Sequence, residues 1–237
     1  MCTVTYLPLS HGGFILTSTR DEKTSRKPAH SPALHELHGR QVYFPRDQDA
    51  SGTWISSGPD AHTLCLLNGG FVVHEPDPPY RRSRGLVLLD FYSYNDLARY
   101  RDSYDFSGIE PFTLLIIAES EPFLHELRWD GETVHDKAYP TDMPGIWSSV
   151  TLYQDDVIRQ RRSWFEEWLD TAPEFTPESA IQFHTTAGSG DIRNDILMNR
   201  ENTIRTVSIT CLVRDNTRHE FHYEDMISSR TFTCPVS

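Results

Sequence analysis

The chain has 237 residues, of which 38% are hydrophobic and 24% charged, a composition typical of a globular protein that can bury a sizeable core. Its formal net charge of −12 argues against a general nucleic-acid binder, because neutralising phosphates requires clustered lysine and arginine side chains. The same negative charge disfavours adhesion to an anionic membrane surface.

The amino terminus has neither a basic segment nor a long apolar run, so no signal peptide is predicted. The longest apolar segments, such as residues 114–118, are too short to span a bilayer. The four cysteines form no C-x-x-C pair and have no zinc-ligand spacing. We therefore expect a cytoplasmic, reduced protein without a metal, another cofactor or a membrane-inserted segment.

The first residues combine a strand pattern with a candidate nucleophile. Cys2 follows the initiator Met1, and its small side chain permits routine removal of that methionine. The processed residue would carry both a thiol and a free α-amine, with reference pKa values of about 8.5 and about 7.7–8.0. A single residue could then supply the nucleophile and the general base, as N-terminal threonine nucleophiles do.

β-Branched and aromatic residues predict a strand over 2–7 and a second over 14–19, joined by a glycine turn. This hairpin returns Arg20 and Asp21 towards the chain terminus. Residues 25–39, rich in proline and histidine, are predicted to form an irregular loop. Further strands are predicted over 52–56, 62–67, 112–118, 123–129, 133–139 and 145–150.

Two short helices are expected in the middle of the chain, one capped by Ser83 and one by Asn95. The clearest helix spans 153–169, with an apolar stripe that includes Trp164 and Trp168. A shorter helix follows Thr176, which precedes a proline suited to the first helical position. Alternating residues predict the last strands, over 206–213, 220–223 and 231–233.

Strands that cluster with one another, and helices that are segregated from them, indicate an α+β fold with antiparallel sheets rather than repeated βαβ units. No internal repeat and no proline- or serine-rich linker divides the sequence. We therefore predict one domain over residues 1–237.

Five short motifs, in a fixed order, resemble the NRDE family, which is also called the transport and Golgi organisation family. They are Met1-Cys2, Thr19-Arg20-Asp21-Glu22, Gly52-Thr53-Trp54, Leu67-Asn68-Gly69 and Ser83-Arg84-Gly85. The family is similar to a branch of the N-terminal nucleophile hydrolases, with distant similarity to choloylglycine hydrolases and penicillin acylases. The resemblance covers roughly residues 1–90 and is thin afterwards, except near Arg205.

The resemblance implies a four-layer αββα sandwich of two antiparallel sheets. Cys2 would be the nucleophile with its own amine as base, and Arg20 and Asp21 match the positions that hold the amine and tune the thiol. Asn68 matches an amide that helps to build the oxyanion hole. Arg205 matches a basic residue that lines the same site.

Two departures from the family pattern affect the expected site. The leading asparagine of the family is Thr19 here, and relatives carry an asparagine where this chain has Ser148 and Ser149. A serine hydroxyl is a shorter donor than an amide, so we expect these two serines to contact substrate differently. Arg84, with Arg81 and Arg82, could bind a carboxylate or phosphate at a helix N-terminus, although a solvated loop is the simpler interpretation.

The function implied is an amidohydrolase or acyltransferase that acts on a small amide or acyl substrate. The alternative is a non-catalytic carrier or chaperone of an acyl compound or haem on the same fold, and a third possibility is a structural factor in which Cys2 is incidental. His30, His35 and His38 lie close together but without a metal-binding motif, so a loop with incidental histidines is favoured. A homo-oligomer is compatible with the sequence, which leaves the oligomeric state open.

Overall fold

The computed structural model describes residues 3–118 and 121–237. Its strands are β1 Thr3–Pro8, β2 Phe14–Lys23, β3 His30–Leu37, β4 Arg40–Arg46, β5 Ile55–Gly58, β6 Ala61–Asn68, β7 Phe112–Ile117, β8 Phe123–Trp129, β9 Val134–Pro140, β10 Gly145–Ser148, β11 Asn199–Arg200, β12 Ile204–Arg214, β13 His219–Asp225 and β14 Arg230–Pro235. Its helices are α1 Arg84–Asp90, α2 Leu97–Ser103, α3 Asp155–Asp170 and α4 Pro177–Thr186, with a short 3₁₀ helix at Phe91–Ser93.

The chain forms two compact units, each built around one seven-stranded antiparallel sheet. Unit 1 contains the described residues up to Pro28 together with Met143–Pro235, and unit 2 contains Ala29–Asp142 with Val236–Ser237. The predicted α+β class with two antiparallel sheets is confirmed. The prediction of a single domain stays a prediction.

In unit 1 the sheet order is β10-β1-β2-β12-β13-β14, and β11 pairs with β12. The helices α3 and α4 cover one face of this sheet through an apolar cluster that includes Leu7, Ile15, Phe165 and Phe183. Trp168, which was predicted to lie on the apolar stripe, is half-buried and contacts the rings of its neighbours, whereas Phe165 is the fully packed anchor of α3.

The start of α4 shows why this helix could be recognised from sequence. The Thr176 hydroxyl accepts a hydrogen bond from the Ser179 amide, and the Ser179 hydroxyl accepts one from the Thr176 amide. These reciprocal bonds satisfy two amides that the helix itself cannot pair, and Pro177 occupies the first helical position, where no amide is needed.

In unit 2 the sheet order is β3-β4-β5-β6-β7-β8-β9. Gly52 and Gly85 lie against each other: a Cβ on Gly52 would come 2.5 Å from the Gly85 carbonyl carbon, and a Cβ on Gly85 would come 2.8 Å from the Thr53 oxygen. The Thr53 amide also donates to the Gly85 carbonyl. Two of the family motifs therefore have a packing role, because only glycine allows the backbone at the start of α1 to approach this closely.

Two predictions for unit 2 were wrong. Residues 25–39 contain β3 rather than only an irregular loop; this strand lies at the edge of its sheet, where both faces can be exposed and Pro32 is tolerated, so the usual apolar alternation is missing. The cap of α2 is Asp96, whose carboxylate accepts from the Arg99 amide, and not Asn95, which has a positive φ of 47°.

Candidate functional site

The amino-terminal strand β1 lies inside the sheet of unit 1, between β10 and β2. Thr3 pairs with Ser148 on one side and Thr19 on the other, it is 0% exposed, and its amide donates to the Thr19 hydroxyl at 3.2 Å. Met1 and Cys2, the predicted nucleophile, lie outside the described residues. The candidate site is therefore defined by what surrounds the start of β1.

Side chains alternate between the two faces of this sheet, and Arg20 and Asp21 consequently point in opposite directions. Leu7 and Ile15 contact the helices, so Thr3 and Asp21, which are in phase with them, lie on the helix-covered face. Arg20 lies on the other face with Glu22. The two predicted residues are brought to the same end of β2 but do not share one environment.

The Asp21 carboxylate is fixed by two hydroxyl donors. The Tyr153 hydroxyl donates to Oδ2 and the Thr206 hydroxyl donates to Oδ1, both at 2.5 Å. The pairing of β2 with β12 shifts by one residue here, since Thr206 lies opposite Asp21 and Ser208 lies opposite Arg20. Such bulges redirect side chains and are frequent beside active sites.

On the face opposite the helices, three arginines surround one carboxylate. The Glu22 Oε2 atom lies 3.6 Å from Arg20 Nη2 and 3.3 Å from Arg26 Nη1, and Arg205 is the cross-strand partner of Glu22. The buried Arg205 Nε has no hydrogen-bond partner within the described chain. The predicted residues Arg20 and Arg205 therefore share an electropositive face at the end of β2 nearest the chain terminus.

Both predicted substrate-binding serines lie at the end of β10, but in different contacts. The Ser148 hydroxyl is 3.4 Å from the Thr3 hydroxyl, directly beside the start of β1. Ser149 is buried and its hydroxyl is 3.1 Å from that of Thr151. Ser148 is thus placed beside Thr3 at the start of β1, and the substrate-binding role of both serines stays a prediction.

The predicted residues Arg84 and Asn68 belong to unit 2. Arg84 Nη2 lies 3.0 Å from Glu110 Oε2, while Arg82 forms a two-pronged pair with Asp90, so both guanidinium groups have carboxylate partners within the chain. Asn68 ends β6 immediately before Gly69, which has a φ of 90°. The roles predicted for Arg84 and Asn68 stay predictions.

Three residues near β1 were missed by the sequence analysis: Tyr153, Arg161 and His184. Arg161 on α3 is 0% exposed, donates through Nη1 to the Thr3 hydroxyl at 2.5 Å, and stacks 3.6 Å from the centroid of the Tyr153 ring. Its position was a usable signal, because an arginine three residues after Ile158 and four before Phe165 falls within the apolar stripe of the helix.

The third missed residue is His184 on α4. It is completely buried, its Nε2 lies 2.8 Å from the Thr5 hydroxyl, and its Nδ1 has no partner within the described residues. Burial, aided by the positive charge of Arg161, lowers the pKa of His184 to about 3. The imidazole is therefore neutral under β1 at physiological pH.

Within the described residues, no group of three or more histidine, cysteine, aspartate or glutamate side chains could hold a metal ion. The same part of the chain has no helix that is both long and apolar enough to cross a membrane.

Comparison with known proteins decides the family. Residues 1–181 match the family model described as Transport and Golgi organisation 2. The chain belongs to this family. No curated protein matches the chain. The resemblance inferred from the short motifs is thereby confirmed.

Solved structures of other proteins share the fold of this Transport and Golgi organisation 2 family member. A Caenorhabditis elegans ortholog of N-acylethanolamine-hydrolyzing acid amidase matches with a TM-score of 0.52 and 11% identity, covering 90% of this chain and 92% of the other. Two Clostridium perfringens conjugated bile acid hydrolase structures each match with a TM-score of 0.56, covering 99% of this chain and 92% of the other. One is an arginine-to-leucine variant at 8% identity, and the other a cysteine-to-alanine mutant at 10%.

At such identities the likeness shows the fold alone, which is that of the N-terminal nucleophile hydrolases. The matches extend over nearly the whole chain, so they include the strands of both units. The predicted fold class is confirmed, whereas activity and substrate require their own argument.

Proposed function

We propose that this protein is an N-terminal cysteine amidohydrolase, or an acyltransferase, for a small amide or acyl substrate, with Cys2 as nucleophile after removal of Met1. The observation that carries the proposal is the complete burial of Thr3 in a strand inside the sheet. Chain termini usually lie at the surface, where they are poorly ordered. Thr3 is the residue directly after Cys2 in the sequence, and it is held inside the sheet between β10 and β2.

The strand register supports Arg20 as the residue that acts on the Cys2 thiol. Thr3 lies opposite Thr19, and our proposal extends this antiparallel pairing by one residue, which would place position 2 opposite Arg20. The proposal requires the Cys2 thiol to share the face of Arg20, which follows if the side-chain alternation of β1 also continues. A guanidinium beside a thiol favours the thiolate and lowers the pKa of the cysteine.

In the proposed reaction the α-amine of Cys2 takes the thiol proton, and the thiolate attacks the carbonyl carbon of the substrate. The tetrahedral intermediate collapses as the α-ammonium protonates the leaving amine, which departs and leaves an acyl thioester on Cys2. Water, deprotonated by the same amine, then attacks the thioester, and the thiol and the carboxylic acid are released. An amine in place of water would give acyl transfer instead.

The names of the structural relatives agree with this class of reaction. One is an ortholog of an acid amidase and the other a hydrolase of conjugated bile acids. The bacterial enzyme was studied as a cysteine-to-alanine mutant and as an arginine-to-leucine variant, the residue types to which the proposal assigns chemistry here. These names support the proposed class of reaction.

The proposal predicts that Cys2 reacts with iodoacetamide at lower pH than the other cysteines. The pH midpoint of Cys2 is compared with about 8.5 for an ordinary free cysteine, because partial burial raises the pKa of Cys234, and the fully buried Cys65 and Cys211 report any unfolding. Arg20→Ala should slow the labelling of Cys2 at pH 7, since removing the cation disfavours the thiolate.

The matched control is Lys27→Ala, which removes an exposed cation a few residues further along the chain and should leave labelling unchanged. Intact mass must first show that Met1 is absent. A retained methionine, or a Cys2 that titrates like an ordinary thiol and ignores Arg20→Ala, would contradict the enzyme and favour the carrier of an acyl compound or haem.

A further inference from the structure

Arg161 is a buried cation for which the described residues provide no carboxylate partner. It is 0% exposed, and its hydrogen bonds go to neutral oxygens: Nε and Nη2 donate to the Asn194 carbonyl at 3.2 and 3.0 Å, Nη2 also donates to the Asp195 carbonyl at 2.6 Å, and Nη1 donates to the Thr3 hydroxyl at 2.5 Å. An unpaired buried charge is expensive, and replacing buried ionic groups by apolar ones is often neutral or stabilising. A contribution to stability alone therefore does not account for this arginine.

Arg161 contacts two side chains near the start of β1, those of Thr3 and Tyr153. Through Thr3 it contacts the residue that follows Cys2 in the chain. Through the Tyr153 ring, 3.6 Å from the guanidinium carbon, it contacts the side chain whose hydroxyl donates to Asp21. A cation over an aromatic face is attracted by the ring, so Tyr153 and Arg161 fix each other.

We propose that Arg161 is a positioning residue for the N-terminal nucleophile: it fixes Thr3 directly and Asp21 through Tyr153, and its charge favours the thiolate of Cys2. This inference rests on the proposed function. Successive Cα atoms are about 3.8 Å apart, so the backbone of residue 2 is close to Thr3 in any conformation. Arg161 lies on the helix-covered face and contacts Thr3, the residue next to Cys2, so its charge acts across the sheet and favours both the thiolate and the uncharged, basic form of the α-amine.

The other ionisable groups around Arg161 do not cancel this effect. His184 on α4 is neutral, because burial lowers its pKa to about 3. Arg200 lies over the same Tyr153 ring at 5.4 Å and adds positive charge. Asp21 is the opposing negative group, and the Tyr153 hydroxyl that Arg161 holds in place donates to it. The hydrogen bond from Tyr153 therefore weakens the electrostatic effect of the Asp21 carboxylate, which would otherwise favour the protonated form of the Cys2 α-amine.

Two near-isosteric variants each remove one of these contacts and should leave the fold unchanged. Thr3→Val removes the oxygen that accepts from Arg161, and Tyr153→Phe removes the donor to Asp21 while the ring remains. In each variant we expect iodoacetamide labelling of Cys2 at pH 7 to slow by roughly three- to tenfold, with its pH midpoint displaced upwards, because less thiolate is present. Arg161→Lys, which keeps the charge, should retain more of the labelling rate of Cys2 than Arg161→Met.

Arg162→Met is the matched control, since Arg162 is exposed on the same helix and should leave the pH midpoint unchanged. Circular dichroism and the absence of label on the buried Cys65 and Cys211 establish that each variant is folded. A low wild-type midpoint that stays unchanged in folded Thr3→Val and Tyr153→Phe would overturn the role of Arg161 and leave the proposed function standing. An ordinary wild-type midpoint would instead overturn the proposed function itself.

Discussion

At the scale of single side chains, the neighbouring residues Arg20 and Asp21 of β2 lie in different environments. Arg20 lies among charged groups on the face of β2 opposite the helices, whereas Asp21 lies on the helix-covered face between two hydroxyl donors. In the proposed mechanism Arg20 acts on the thiol of Cys2, whereas Asp21 acts on the α-amine of Cys2 from the other face of the sheet. A motif that is contiguous in sequence can thus act from both sides of a sheet.

His184 makes stability depend on pH in a predictable direction. Its pKa is about 3 in the folded protein and about 6.5 when unfolded, so below about pH 6.5 the unfolded chain takes up a proton that the folded chain cannot accept. Stability is therefore lost as the pH falls from 6.5 towards 3. Between pH 7 and pH 4.5 this group should cost about 2–3 kcal/mol.

The measurement is urea unfolding of the wild type and of His184→Gln at both pH values. The Thr5 contact changes in the variant, so each protein is compared with itself at pH 7, and the variant should lose about 2–3 kcal/mol less on acidification. His30→Gln, at an exposed position of β3, is the control and should follow the wild type. Equal losses in wild type and His184→Gln would refute the assignment.

Packing between elements explains why the first turn of α1 contains a glycine, Gly85. Ala is favoured over Gly in helices by about 1 kcal/mol, so helix propensity alone predicts that Gly85→Ala stabilises α1. The new Cβ would, however, lie 2.8 Å from the Thr53 oxygen and 3.0 Å from its nitrogen, and both are backbone atoms that cannot move aside cheaply. Overpacking of this kind costs about 1–3 kcal/mol, so packing should outweigh propensity.

We therefore expect Gly85→Ala to lower the free energy of unfolding by about 1–3 kcal/mol, seen as a lower urea midpoint. Glu166→Ala, at an exposed position of α3, should change stability by less than about 0.5 kcal/mol. If Gly85→Ala is as stable as the wild type, the two glycines in the family motifs are not required for this contact.

The elements that could be predicted from sequence are those whose signals are local. The strands β8 and β9 were correctly predicted from their residue pattern, and the start of α4 was correctly predicted from Thr176 and the proline after it. The edge strand β3 was not, since partial burial leaves no alternation. Arg161 stands out in sequence only as a charge within the apolar stripe of α3, and its contacts with Thr3 and Asn194, far away in sequence, could not be predicted.

For the whole molecule, the order of segments along the chain couples the two units. The strands β1 and β2, which precede Pro28, lie between β10 and β12, which follow Met143, so unit 1 is completed only by chain on both sides of Ala29–Asp142. If that insert unfolded alone, it would become a flexible loop within unit 1. Closing a loop of roughly 100 residues costs about 4–5 kcal/mol, a large share of the 5–15 kcal/mol that stabilises a typical domain.

We therefore predict that both units unfold in one transition. Each has a fully buried native thiol that reports its unfolding: Cys211 in β12 for unit 1 and Cys65 in β6 for unit 2. Brief thiol labelling at increasing urea concentrations, read by peptide mass spectrometry, should give coincident midpoints, whereas the partly exposed Cys234 should label without urea. Separate midpoints for Cys65 and Cys211 would show that the loop-closure cost is too small to couple the units, and that the chain folds as two domains.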